Sequence, residues 1–215
     1  GEVDSAPWVV KSIIDSPVSH RICQGLGQAI IGEDPFETEK IWEKMYLSSM
    51  FYGRRGVVIH AMSGIDIALW DIKGKALNMP ICKLLGGVQR DKVRAYGSTL
   101  MPYTPQEAAE EALRWKEQGF SEVKMGWGGF ELPQSECVKL VEATRNAIGD
   151  DMDMMLDIGF IPSGDFNVTA ASRLLLINEI REFKPYWIEE AVYPDDYEGY
   201  KMLVESTDVR FAGGE

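Results

Sequence analysis

Three acidic residues recur in the second half of the chain at intervals that can bring them together. Asp157 closes the apolar run "DMMLD", Glu189 is embedded in "YWIEEAV", and Glu215 closes "FAGGE". They lie 32 and 26 residues apart, the spacing of successive strand–helix units in a parallel sheet. If each ends a strand of a barrel, three carboxylates meet at one mouth. Like charges held that close cannot all stay ionised without a cation, and an oxygen-only donor set suits Mg²⁺. Glu190 follows Glu189 directly. Alternation along a strand sends it to the opposite face, where it must find a cationic partner or solvent. Lys124, in "VKMGWGGF", lies on an earlier strand. Pointing inward, it is a cation for a substrate carboxylate, a base, or a structural partner for the acids. Any one acid alone is more readily a helix cap or a solvated charge, and Glu189 is as readily half of a buried ion pair; the recurrence singles out the set.

The elements that must position these residues change character near residue 93. Before it the pattern is mostly helical. "DPFETEKIWEKMYLSSMFYG" reads as a helix with Pro35 in its first turn and Gly53 after its last periodic position. "VVIHAMSGIDIALWDIKGKALNMP" places Ile65, Ala68, Leu69 and Ile72 on one helical face. After it, strand and helix alternate. Thr104, Pro105 and Glu107 form a helix start of capping-box type, and Gly119 is its stop. With Tyr96, Lys124, Met155, Ile188 and Ala212 as strand centres, the steps are 28, 31, 33 and 24 residues. An open doubly wound sheet and a closed barrel both fit this periodicity. The domain reading is residues 1–92 as cap and linker helix, and 93–215 as five βα units.

Composition narrows the class. The chain has 215 residues, 45% hydrophobic and 26% charged, as expected of a globular protein. A net charge of -12 argues against nucleic-acid and anionic-membrane partners. No apolar run is long enough to span a bilayer. Cys23, Cys82 and Cys137 are scattered and show no C-x-x-C, which suits buried thiols in a reducing cytoplasm. "GWGG" is no phosphate loop, since no G-K-[ST] follows it. His60 reads as a packing or capping residue, and His20 carries no signal. The start at "GE" and the stop at "FAGGE" read as cuts through a longer protein, inactive as this piece alone.

Taken in order, "SGIDIALWDIKGKALNMPICKLLGG", "VKMGW", "LDIGF", "WIEEAV" and "AGGE" resemble the enolase superfamily, in its mandelate racemase-like branch. The resemblance implies an α/β fold: a modified (β/α)7β TIM-like barrel, of which the first five strands are present, with part of an α+β capping domain. It also implies Mg²⁺ held by Asp157, Glu189 and Glu215, with Glu190 outside the ligand set. The shared chemistry is abstraction of the proton α to a carboxylate, giving an enediolate. Many relatives carry Lys-x-Lys on the second strand, where this chain has Lys124-Met125-Gly126. In related acid-sugar dehydratases a His on the seventh strand, supported by an Asp on the sixth, moves the proton; both would follow residue 215. The expectation is an acid-sugar dehydratase, with a racemase or epimerase as alternative on the same scaffold. A Schiff-base aldolase-type barrel using Lys124 and a non-catalytic metal-binding barrel stay open. The expected partners are a sugar-acid substrate and further copies of the chain.

Overall fold

The computed structural model describes residues 1–159 and 168–214. They form two compact units, Gly1–Lys92 and Val93–Glu215. No helix among the described residues is long and apolar enough to cross a membrane.

The first unit is helical: α1 (Pro7–Asp15), α2 (Leu26–Ile30), α3 (Thr38–Ser48), α4 (Val57–Ala76) and α5 (Ile81–Leu84). Its core gathers Leu26, Ile41, Met45, Val58, Met62 and Leu69. Two expectations are corrected here. Pro35 precedes α3, in a turn where the Asp34 carboxylate accepts the Phe36 N–H at 2.9 Å; this side-chain turn delays the helix start. The face of α4 is also rotated. Val58, Ala61, Met62 and Leu69 are buried and Ile65 is half-buried, whereas Ile72 is exposed. His60 is exposed on α4, so packing is not its role.

The second unit alternates β1 (Gly97–Leu100), α6 (Pro105–Glu117), β2 (Glu122–Gly126), α7 (Gln134–Ile148), β3 (Asp153–Asp157), α8 (Ala170–Ile180), β4 (Ile188–Glu189), α9 (Tyr197–Ser206) and β5 (Phe211–Ala212). All pairings are parallel and the strands lie in chain order, β1 to β5. An open doubly wound sheet reverses its strand order at a switch point. The absence of any reversal here is the arrangement of a barrel wall. Val123, Met125, Met154, Leu156 and Ile188 join the helices in one core with Ala108, Leu140, Val141, Ile177 and Leu203. By alternation, Lys124, Met155, Asp157 and Glu189 belong to the other face.

Local signals placed the helices. Thr104 caps α6 by accepting the Glu107 N–H, but its hydroxyl donates to Glu107 Oε2 at 2.7 Å, so the expected capping box is only half made. Tyr96 precedes β1, which is displaced towards the C-terminus. Of the three thiols only Cys137 is buried, and Cys82 is exposed.

At the end of the sheet where strands begin, Arg145 of α7 acts as a clamp. Its guanidinium donates to the carbonyls of Gly149 at 2.6 Å, Met152 at 2.8 Å, Phe183 at 2.9 Å and Lys184 at 3.1 Å. These carbonyls lie on the connections entering β3 and β4. Replacing Arg145 with Met deserts all four acceptors. Unfolding in urea should show a loss of about 2–4 kcal/mol; a loss below about 1 kcal/mol would mean that water serves the carbonyls equally well.

Candidate functional site

Asp157 and Glu189 are the last residues of β3 and β4 and are register partners in the parallel ladder. Register partners project from the same face, so the two carboxylates sit side by side where the strands end. Lys124, two residues before the end of β2, reaches across to them. Its Nζ lies 2.7 Å from Glu189 Oε1 and 3.9 Å from Asp157 Oδ2.

Two tryptophans complete the shell. The Trp127 indole donates to Asp157 Oδ2 at 3.0 Å, and the Trp187 indole to Glu189 Oε2 at 2.9 Å. The Gly159 N–H donates to Asp157 Oδ1 at 3.2 Å. Every carboxylate oxygen of the pair therefore faces a donor. Neither indole was singled out in the sequence. Trp187 had a legible signal, because a residue two before Glu189 on one strand shares its face. Trp127 had none, since it leaves the strand at φ 52°.

Electrostatics mark the pair as short of positive charge. Asp157 is 8% exposed. Burial, then the neighbouring Glu189 charge, push its pKa up despite Lys124 and the two N–H donors. Burial pulls Lys124 downward, but the Glu189 hydrogen bond and charge, with Tyr96 and Asp157, outweigh it and raise its pKa. Two carboxylates share one ammonium, and an oxygen-only donor pair with excess negative charge fits a hard divalent cation. Among the described residues no three His, Cys, Asp or Glu side chains gather as a metal set. The third acid of the expected set, Glu215, lies outside the described residues.

Glu190 parts from Glu189 by leaving the extended conformation, at φ 52°. It is 4% exposed, its N–H donates to Ala212 O at 3.0 Å, and its Oε1 accepts the Gly214 N–H at 2.8 Å. Burial, then the Glu190 charge, push the Tyr200 hydroxyl up to about 12.

The gap left by the missing second lysine is filled by Asp157. Gly126 and Asp157 are register partners, and a Cβ at position 126 would stand 2.5 Å from Asp157 Cβ and 2.9 Å from Asp157 O. No real Cβ tolerates that approach. A base cannot be carried at position 126 while Asp157 stays where it is.

Two regions match known sequence families. Residues 10–86 match the mandelate racemase / muconate lactonizing enzyme N-terminal domain, and residues 107–215 match the family described as enolase C-terminal domain-like. The chain belongs to the enolase superfamily. Within it the chain falls in the mandelate racemase / muconate lactonizing enzyme branch. It is 36% identical to the D-galactonate dehydratase of Klebsiella pneumoniae (strain 342), over 88% of this chain and 49% of that one. It is 35% identical to the D-galactarolactone cycloisomerase of Agrobacterium fabrum (strain C58 / ATCC 33970), over 90% of this chain and 50% of that one. The solved 3,6-anhydro-D-galactonate cycloisomerase of Zobellia galactanivorans superposes with a TM-score of 0.85 at 37% identity, covering all of this chain and 56% of its own. The chain thus spans about half the length of the curated relatives it matches.

Two variants probe this enolase-superfamily site without metal. Lys124→Met leaves the carboxylate pair without its ammonium. In chelator, thermal melts should show a loss somewhat below the ~3–5 kcal/mol of a fully buried broken pair, because the site keeps some solvent. The variant should regain stability as pH falls. A carboxyl group whose folded pKa is raised binds more protons folded than unfolded, so its stability penalty is relieved between the raised value and the ordinary 3.8. Stability that falls on acidification through that window would contradict the charge assignment. Gly126→Ala should cost about 1–3 kcal/mol through overpacking against Asp157, and a crystal structure of it should show Asp157 displaced.

Proposed function

We propose that these residues form part of the active site of a Mg²⁺-dependent lyase that removes the proton α to the carboxylate of a sugar acid, with dehydration as the outcome. The register-paired Asp157 and Glu189, joined by Lys124, support this reading. The ligands are Asp157, Glu189 and Glu215. Bound Mg²⁺ supplies Lewis acidity where charge builds on the substrate carboxylate.

The chain's own groups divide the remaining work. Lys124 holds the carboxylates in register and adds positive charge at the place where substrate charge develops. Its proton is engaged by Glu189 at 2.7 Å, which suits a cation better than a base. The same ion pair opposes the neutral amine that a Schiff base requires. The Trp127 and Trp187 indoles bind the acids and keep them oriented. Neither Lys124 nor position 126 offers a base, so the proton acceptor comes from another strand end of the barrel. Sugar acids are supported as substrates by the names of the relatives, which are a galactonate dehydratase and cycloisomerases of galactarolactone and anhydrogalactonate. An isomerase outcome is the second reading, favoured by the two cycloisomerases.

The full-length protein should be titrated with Mg²⁺ by calorimetry and assayed against a panel of sugar acids in deuterated water. One Mg²⁺ site, lost in Glu189→Gln, is expected together with chelator-sensitive formation of a 2-keto-3-deoxy acid. A product isomeric with its substrate, formed without loss of water, would decide for the second reading. Unchanged Mg²⁺ binding in Glu189→Gln, or a borohydride-trapped adduct on Lys124, would defeat the proposal.

A further inference from the structure

Arg173 is a buried guanidinium with no carboxylate partner among the described residues. It stands on α8 in line with Ala170, Leu176, Ile177 and Ile180, the stripe that faces the core, and is 7% exposed. An arginine in that line is costly, and a leucine or methionine would fill it without burying charge. Arg145, half-buried in the same unit, spends its donors on four carbonyls. Among the described residues Arg173 donates from Nη2 to the Gly159 carbonyl, and its buried Nε meets no acceptor there. Packing alone does not call for such a group, whereas Gly159 gives it a purpose.

Gly159 touches the site from both sides. Its N–H donates to Asp157 Oδ1 at 3.2 Å. Its backbone, at φ +61°, lies beside the Trp127 ring, where an added Cβ would stand 3.4 Å away, in ordinary van der Waals contact. That ring delivers its own N–H to Asp157 Oδ2. Both oxygens of Asp157 are thus held by groups at or beside one glycine, and Arg173 is the side chain that grips this glycine's carbonyl.

We propose that Arg173 is a positioning residue: through the Gly159 carbonyl it keeps the Gly159 N–H and the Trp127 indole on Asp157, and so fixes the orientation in which that carboxylate ligates. The inference rests on Asp157 being a metal ligand, and it adds that the ligand's aim is set from α8. Groups that orient a ligand typically change metal affinity 10–100-fold when lost.

The test uses the full-length protein with ¹⁵N-labelled indoles, the Trp127 signal being assigned by its loss in Trp127→Phe. In Arg173→Met, melting temperature should hold or rise, since a buried charge is removed. In chelator, protection of the Trp127 indole N–H from hydrogen exchange should fall about tenfold or more, and Mg²⁺ affinity should fall by about the same factor. Arg173→Lys, which still has a donor for the Gly159 carbonyl, should restore part of both. Unchanged indole protection in Arg173→Met overturns the proposal, as does unchanged Mg²⁺ affinity. If the wild-type protein binds no Mg²⁺, the metal reading falls by itself and the indole measurement alone decides. Should Arg173→Met fail to fold, the neutral Arg173→Gln is held to the same two measurements.

Discussion

Two negative charges on adjacent strand ends share one ammonium, and much of the second unit is arranged around that imbalance. Asp157 and Glu189 are register partners, so their carboxylates cannot move apart without breaking the β3–β4 ladder. Lys124 bonds to Glu189 at 2.7 Å and stands 3.9 Å from Asp157, nearer one acid than the other. The indoles of Trp127 and Trp187 supply partial positive charge without bringing a competing base. Gly126 yields its side-chain volume so that Asp157 can come close. These features act together on one shortage of cation.

The two ends of the sheet use cations differently. Where strands begin, Arg145 satisfies carbonyls of two connections, and Arg94 bridges Glu122 and Asp153. Those contacts are complete within the unit and serve stability. Where strands end, Lys124 leaves the carboxylates short of charge, and Arg173 holds a buried Nε unmet among the described residues. Among the described residues, unmet polar groups thus gather at the end of the sheet where a β/α barrel carries its active site.

Much of this was legible in the sequence, for identifiable reasons. Period and cap chemistry located α6, β2, α7 and β3, and the spacing of Asp157 and Glu189 anticipated their pairing. Other features depend on contacts that leave no periodic trace. The buried face of α4 is fixed by what packs on it, so Ile72 turned out exposed although its spacing suited the core. Glu190 was expected simply to alternate with Glu189, but a positive φ turns it out of the ladder towards the Gly214 N–H. The short residue at position 126 read as an empty place, whereas the chain fills it with the main chain and Cβ of Asp157. Arg173 did carry a signal, a guanidinium on an apolar helical stripe, which was overlooked because the neighbouring "LLLI" dominates the pattern.

The uninterrupted strand order also bears on how the site is built during synthesis. Each of β2 to β5 pairs with the strand made just before it, so this stretch of wall can grow from the ribosome one strand–helix–strand crossover at a time. Lys124 emerges first, on β2, followed by Asp157 on β3 and Glu189 on β4. The nascent chain thus lays down its counter-ion before the charges that need it, and neither acid has to be buried ahead of its partner.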